Sequence, residues 1–207
     1  PELKILTTVS VKAVAEMVED AQLFVAQGFE TLKIKVGLNP AEDIQRLKAI
    51  REAVGDSISI LSDANQGWDA KSALQIIDSL AVHNLGIAMV EQPVKAWDYA
   101  NLKYVRDNSR IPIYADESAF NLRDVSKIIQ AQMADGINIK LMKSGGLYAA
   151  RPIYDLATSH NLSCMAGCML ESPIGLAAMA AFVVGKSNIK FVDLDPIAMI
   201  KSNPVIG

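Results

Sequence analysis

The strongest constraint on this chain is a regular alternation, from end to end, of short β-rich apolar runs with longer amphipathic stretches. Strands are expected at 5–9, 31–36, 57–62, 86–90, 111–115, 136–140, 162–166 and 189–194. Their starts lie about 25 to 30 residues apart, room for a strand, a short loop and a helix of three turns. The segments between carry helical spacing. From 11 to 27, Ala13, Val14, Met17, Ala21, Phe24 and Val25 recur at intervals of three and four, and Gly28 supplies a stop. Pro40 opens the next helix, with Ile44, Leu47 and Ile50 on one face, and Ala73, Ile76, Ile77 and Leu80 mark the third. Strict βα alternation with right-handed crossovers leaves two architectures, a closed barrel and a doubly wound open sheet. The open sheet usually places a glycine-rich phosphate turn after its first strand. That turn here reads Val9-Ser10-Val11-Lys12, without glycine, which favours the barrel. No Ser/Gly linker or run of like charge divides the chain, so one domain is expected over 1–207.

An apolar content of 51% suits this reading, because parallel strands covered by helices are nearly continuous apolar runs. It excludes a disordered chain. Lys plus Arg is 20 and Asp plus Glu is 23, a net charge of −3 without the basic footprint of a nucleic-acid binder. The longest apolar run, 174–185, is about half of the ~20 residues a membrane span requires, and reads as a helix buried against the barrel. Cys164 and Cys168 cannot build a disulfide framework; free thiols in a reducing cytoplasm are expected. The start at Pro1, without an initiator Met, is expected of a processed or excised segment.

Charged residues inside or at the ends of buried strands need a cause. Lys33 and Lys35 stand at i and i+2 on the second strand, hence on one face. The third, fourth and fifth strands end in Asp63, Glu91 and Asp116, the sixth in Lys140, and the eighth in Asp193 and Asp195. All lie at C-terminal strand ends, where barrel enzymes keep their active sites. A single Asp there often only caps the following helix. Three consecutive strands ending in carboxylates bring like charges together, which calls for a cation, and oxygen-only ligands suit Mg²⁺ or Mn²⁺ rather than zinc. Lys35 and Lys140 would face each other across the barrel mouth. A lysine beside a cation and other lysines is expected to have a depressed pKa and to serve as a base. Two such bases on opposite faces of one carbon suit racemisation or epimerisation.

The set Lys33-Ile34-Lys35, Asp63-Ala64-Asn65, Glu91-Gln92-Pro93, Asp116-Glu117-Ser118 and Asn138-Ile139-Lys140 resembles the enolase superfamily, in its muconate-lactonising subgroup. The resemblance runs over essentially the whole chain. It implies an α/β fold, a TIM-type (β/α)7β barrel whose family carries an N-terminal α+β capping domain absent from this chain. Asp193-x-Asp195 and the run Gly167-Cys168-Met169-Leu170-Glu171-Ser172 resemble the dipeptide epimerases of the L-Ala-D/L-Glu type within it. That likeness implies an isomerase that epimerises a dipeptide through a Mg²⁺-stabilised enediolate. Lys35 and Lys140 would exchange the α-proton, and Asp63, Glu91 and Asp116 would bind Mg²⁺, with Mn²⁺ an alternative. Lys33 would contact the substrate carboxylate and depress Lys35. Asp193 and Asp195 would hold the substrate ammonium, with Thr8, Cys168 and Leu170 as further contacts. The partners implied are a small dipeptide, the capping domain and a homo-oligomer, with neither nucleic acid nor membrane.

Two other readings remain open. One is a different reaction of the same subgroup: N-acylamino-acid racemisation, o-succinylbenzoate synthesis or cycloisomerisation. Asp193 and Asp195 oppose it, since those substrates carry no free ammonium. The other is a metal-independent lysine Schiff-base lyase, or a barrel that binds metal without catalysis. Among the remaining residues, Lys143 with Gly145-Gly146 reads as a turn into the next helix, with a substrate contact by Lys143 as the alternative, Trp68 as packing beneath the loop after the third strand, and His83 and His160 as helix-end residues.

Overall fold

Eight parallel strands stand side by side in the order in which the chain makes them, and a helix follows each of the first seven. The computed structural model describes residues 3–195, so the ends of the expected 1–207 domain lie outside it. The strands are β1 (Thr7–Val9), β2 (Thr31–Lys35), β3 (Ser59–Asp63), β4 (Ile87–Glu91), β5 (Ile113–Ala115), β6 (Gly136–Lys140), β7 (Ser163–Gly167) and β8 (Ile189–Val192). Between them run α1 (Val14–Ala26), α2 (Pro40–Val54), α3 (Ala70–Val82), α4 (Tyr99–Asn108), α5 (Leu122–Ala131), the single turn α6 (Leu141–Ser144), α7 (Leu147–Ser159) and α8 (Pro173–Val183). A parallel bridge between Leu6 and Asp193, with the Leu6 N–H on the Val192 carbonyl at 2.8 Å, brings β8 back beside β1. The barrel is therefore the architecture, and each expected strand is present with its ends within two residues of those expected.

The helices begin where their caps stand. The Asn39 side chain accepts the N–H groups of Ala41 and Glu42 ahead of Pro40, and Asp69, Asp98, Asn121 and Ser172 cap α3, α4, α5 and α8 in the same manner. Each such cap contributes about 1 kcal/mol. In α8 the apolar run is buried on one face only: Leu176, Met179, Phe182 and Val183 pack inward, whereas Ile174 is 65% exposed. No helix among the described residues is long and apolar enough to cross a membrane.

The pleat separates two cores. Outward-facing strand residues such as Leu32, Ile34, Ile60, Val90 and Ile137 pack under the helices. Inward-facing Leu6, Leu61, Met89, Tyr114 and Met165, with Phe191 against them, fill the barrel interior. Gly136 makes room in that layer, because a Cβ there would lie 2.4 Å from the Tyr114 ring.

Candidate active site

The interior layer sets the site directly above it. Two residues on from Leu61, Met89, Tyr114, Phe191 and Leu6 come Asp63, Glu91, Asp116, Asp193 and Thr8, each on the same inward face and one step closer to the C-terminal rim. On β2 and β6 the inward pairs are Lys33 with Lys35 and Asn138 with Lys140. The strand register aligns them: Lys35 pairs with Asp63, Asp63 with Glu91, and Lys140 with Gly167. An apolar plug thus backs a charged layer, and the charge is desolvated from below.

Within this layer the carboxylates are held by lysines. Lys35 Nζ donates to Asp63 Oδ2 at 2.6 Å and to Asn65 Oδ1 at 2.7 Å, and the Asn65 side-chain amide donates onward to Glu117 at 3.3 Å. Lys33 is buried, hydrogen-bonded to Asp193, and 3.5 Å from both Asp63 Oδ2 and Glu91 Oε2. Glu91 Oε1 accepts the Asn138 amide at 2.6 Å, a contact for which Gly167 is needed, since a Cβ there would lie 2.5 Å from the Asn138 amide oxygen. Asp116 Oδ2 accepts Lys140 at 2.6 Å, and Asp116 Oδ1 accepts Lys143 at 2.6 Å.

Electrostatics follow from that packing. Burial, reinforced by the neighbouring Asp63 charge, pushes the Glu91 carboxyl up to about 7, and no described residue donates a hydrogen bond to its Oε2. Asp116 is drawn the other way: burial would raise it, but Lys143 and Lys140 hold it well below the usual carboxylate range. For Lys33, burial opposes the charge, yet Glu91, Asp193 and Asp63 outweigh it and hold the ammonium well above its ordinary value. Lys140 is likewise raised, with Asp116 and Glu91 exceeding the effect of burial.

A cavity of about 270 Å³ opens over this layer at the strand C-termini. It is bordered by Lys33, Lys35, Asp116, Lys140, Asp193 and Asp195, and also by Thr8, Cys168 and Leu170. Because β2 and β6 stand four places apart in a ring of eight, Lys35 and Lys140 enter it from opposite sides. Asp195 Oδ2 accepts the Thr8 N–H at 2.7 Å, and the Cys168 thiol, pushed up to about 12 by burial and then by Asp193, donates to the Asp193 carbonyl at 3.0 Å. Leu170 is 68% exposed at the rim. Asp63 and Glu91, in the same layer, are fully buried and do not border the opening.

The donor set suits a hard cation: three buried carboxylates on adjacent strands, one with an oxygen to which no described residue donates. As the side chains stand, they turn toward lysines, and no three His, Cys, Asp or Glu groups among the described residues converge into a cation cage. Three residues of the site, Asn138, Gln92 and Glu117, carry no role from the sequence, and a fourth, Lys143, has a different one from that expected. Asn138 supports Glu91. Gln92, fully buried, accepts the N–H groups of Asp116 and Ser118 at 2.9 and 3.0 Å and so ties β4 to β5. Glu117 holds Asn65. Lys143, expected in a plain turn, lies in α6 with its side chain buried on Asp116. The available signals were the i−2 position of Asn138 and the i+3 spacing of Lys143 from Lys140.

A parallel barrel with opposed lysines over buried acids defines a class of protein, and comparison with known sequences agrees. Residues 16–201 match the family described as Enolase C-terminal domain-like, and the chain belongs to that family. It is 42% identical over 200 residues to the L-Ala-D/L-Glu epimerase of Clostridium acetobutylicum, covering 97% of this chain and 56% of that protein. The substrate-liganded L-Ala-D/L-Glu epimerase of Bacillus subtilis superposes with a TM-score of 0.95 at 44% identity, over 97% of this chain and 56% of that one. The dipeptide epimerase of Enterococcus faecalis V583, complexed with Mg and the dipeptide L-Leu-L-Tyr, superposes with a TM-score of 0.95 at 41% identity, over 99% and 58%. The chain therefore spans about half the length of the relatives it matches.

Proposed function

We propose that this barrel carries the chemistry of a Mg²⁺-dependent dipeptide epimerase of the L-Ala-D/L-Glu type, an isomerase that inverts the α-carbon of the C-terminal residue. The observation that carries the reading is the entry of Lys35 and Lys140 into one cavity from opposite sides of the ring. One lysine, as the free amine, removes the α-proton from its own face, the carbon becomes planar as an enediolate, and the opposite lysine, as the ammonium, returns a proton to the other face. Asp63, Glu91 and Asp116 would hold the metal, which supplies Lewis-acid stabilisation for the charge developing on the substrate carboxylate; Mn²⁺ would serve the same oxygen ligands. Lys33, buried between Asp193 and the deeper acids, is the nearest cation for that carboxylate. Asp193 and Asp195 form the acidic side of the cavity and would take the free ammonium of the dipeptide, with Thr8 orienting Asp195 and Cys168 and Leu170 bordering the peptide.

The relatives' barrels belong to longer chains, so we assign reading of the dipeptide side chains to a capping domain, in a homo-oligomer of the cytoplasm, where Cys164 and Cys168 remain free thiols. The test is incubation of full-length protein with Mg²⁺ and a dipeptide library in D₂O. Deuterium should appear at the C-terminal residue's α-carbon. Absence of exchange with every dipeptide overturns the proposal. Exchange that survives chelation, together with a substrate adduct trapped by borohydride, would instead assign a Schiff-base lyase.

A further inference from the structure

Asp116 accepts close hydrogen bonds from two lysines, one on each carboxylate oxygen, and the two are not equivalent. Lys140 Nζ contacts Oδ2 and borders the cavity. Lys143 does not border it; its side chain is 0% exposed. An ammonium has three protons, and Lys143 commits all three: to Asp116 Oδ1 at 2.6 Å, to the Asp116 carbonyl at 2.5 Å and to the Asn138 carbonyl at 2.8 Å. The Phe120 ring lies over the ammonium, 5.8 Å from nitrogen to ring centre. The sequence produces this juxtaposition through one helical turn. Lys140 ends β6 and Lys143 follows at i+3 within α6, so both side chains leave the same side of the backbone toward the same acid. Gly145, at φ 91°, then ends the turn. Asp116 is fixed at its main chain as well, because Gln92 Oε1 accepts its N–H at 2.9 Å.

We propose that Lys143 is a positioning residue for metal binding: it locks Asp116 through Oδ1 and the main chain, so that Oδ2 always faces the cavity, whether Lys140 or Mg²⁺ occupies it. The two lysines on one acid then divide the work. Lys140 is free to leave Asp116 and exchange protons with substrate, because the charge and orientation of Asp116 do not depend on it. A saturated, buried cation cannot itself take part in proton exchange. The inference rests on Asp63, Glu91 and Asp116 being the Mg²⁺ ligands.

Calorimetric titration of the full-length protein with Mg²⁺ alone tests it. Lys143→Met keeps the length of the side chain and removes the charge and the donors. Its Mg²⁺ affinity should fall about 10- to 100-fold, the usual effect of removing a group that orients a ligand. Its α-proton exchange should recover as Mg²⁺ is raised. Lys140→Met, by contrast, should lose exchange from the dipeptide epimer that Lys140 deprotonates at every Mg²⁺ concentration. An unchanged or tightened Mg²⁺ affinity in Lys143→Met overturns the proposal, tightening meaning that Lys143 acts only as a repelling charge. So does an exchange defect that saturating Mg²⁺ leaves in place. Wild-type protein that takes up no Mg²⁺ overturns the ligand assignment and this inference together, whereas normal wild-type binding with an unaffected variant overturns the role of Lys143 alone. If Lys143→Met does not fold, Lys143→Gln, whose amide still donates, serves for the same comparison.

Discussion

Lys35 and Lys140 occupy unlike surroundings although they are assigned matching work. Lys35 is a quarter exposed and shares its protons between Asp63 and Asn65, whereas Lys140 is nearly buried on Asp116. Entering the cavity from opposite sides, each can reach only one face of an α-carbon bound between them. Lys35→Ala and Lys140→Ala should therefore each slow deuterium exchange by roughly 10²- to 10⁴-fold from one dipeptide epimer, and the affected epimer should differ between them. Proton NMR on separate L,L and L,D dipeptides measures this. Equal loss from both epimers in both variants would contradict opposed bases. The chemical residues of this set were legible in the sequence because a charge at the end of an apolar strand is conspicuous. Their partnerships were not: Asp193, expected at a substrate ammonium, already holds an ammonium of the chain itself, that of Lys33. That contact joins residues 160 positions apart, and no local pattern encodes it.

Among the elements, α2 shows how the loops around the site are held in place. Asp43, in its first turn, is fully buried; its Oδ2 accepts the Gly37 N–H and the Trp68 indole N–H, both at 2.9 Å, and its Oδ1 accepts Arg46 at 2.8 Å. The loops after β2 and β3, which follow Lys35 and Asp63, are thereby fastened to one carboxylate. They touch so closely that a Cβ on Gly67 would lie 2.1 Å from the Gly37 carbonyl oxygen. Removing that acid leaves buried donors without acceptors. Asp43→Ala should cost about 2–4 kcal/mol, read from urea denaturation followed by Trp fluorescence. A loss below about 0.5 kcal/mol, the range of neutral surface changes, would show that the loops hold without it. The helical register around Ile44, Leu47 and Ile50 was readable from spacing, and Trp68 was correctly expected to pack beneath its loop. The burial of Asp43 was not, because an acid in the first turn of a helix has an equally good solvent-exposed reading. The single turn α6 was missed for a related reason: four residues are too few to display a period.

On the scale of the whole molecule, the barrel stacks an apolar plug beneath a layer of acids and lysines and leaves Glu91 with an oxygen to which no described residue donates. A cation that binds such a folded layer, and not the unfolded chain, stabilises the fold by mass action. Mg²⁺ at a hundred times its dissociation constant should add about 2.7 kcal/mol, which for a domain of this size is a rise of roughly 5–11 °C in Tm. Scanning calorimetry of the full-length protein with Mg²⁺ and with chelator measures it, and coincident melting curves would count against a metal site. The sequence by itself determined the eight-strand alternation, the shared face of Lys33 and Lys35 on the second strand, and which strands end in carboxylates or lysines. These depend on the two-residue pleat and the helical period, which are local. Only the tertiary structure decided which ammonium meets which carboxylate, and that Lys143 lies behind Asp116 rather than in the cavity. Those outcomes depend on distances between strands and on how completely water is excluded, and neither exists until the ring has closed.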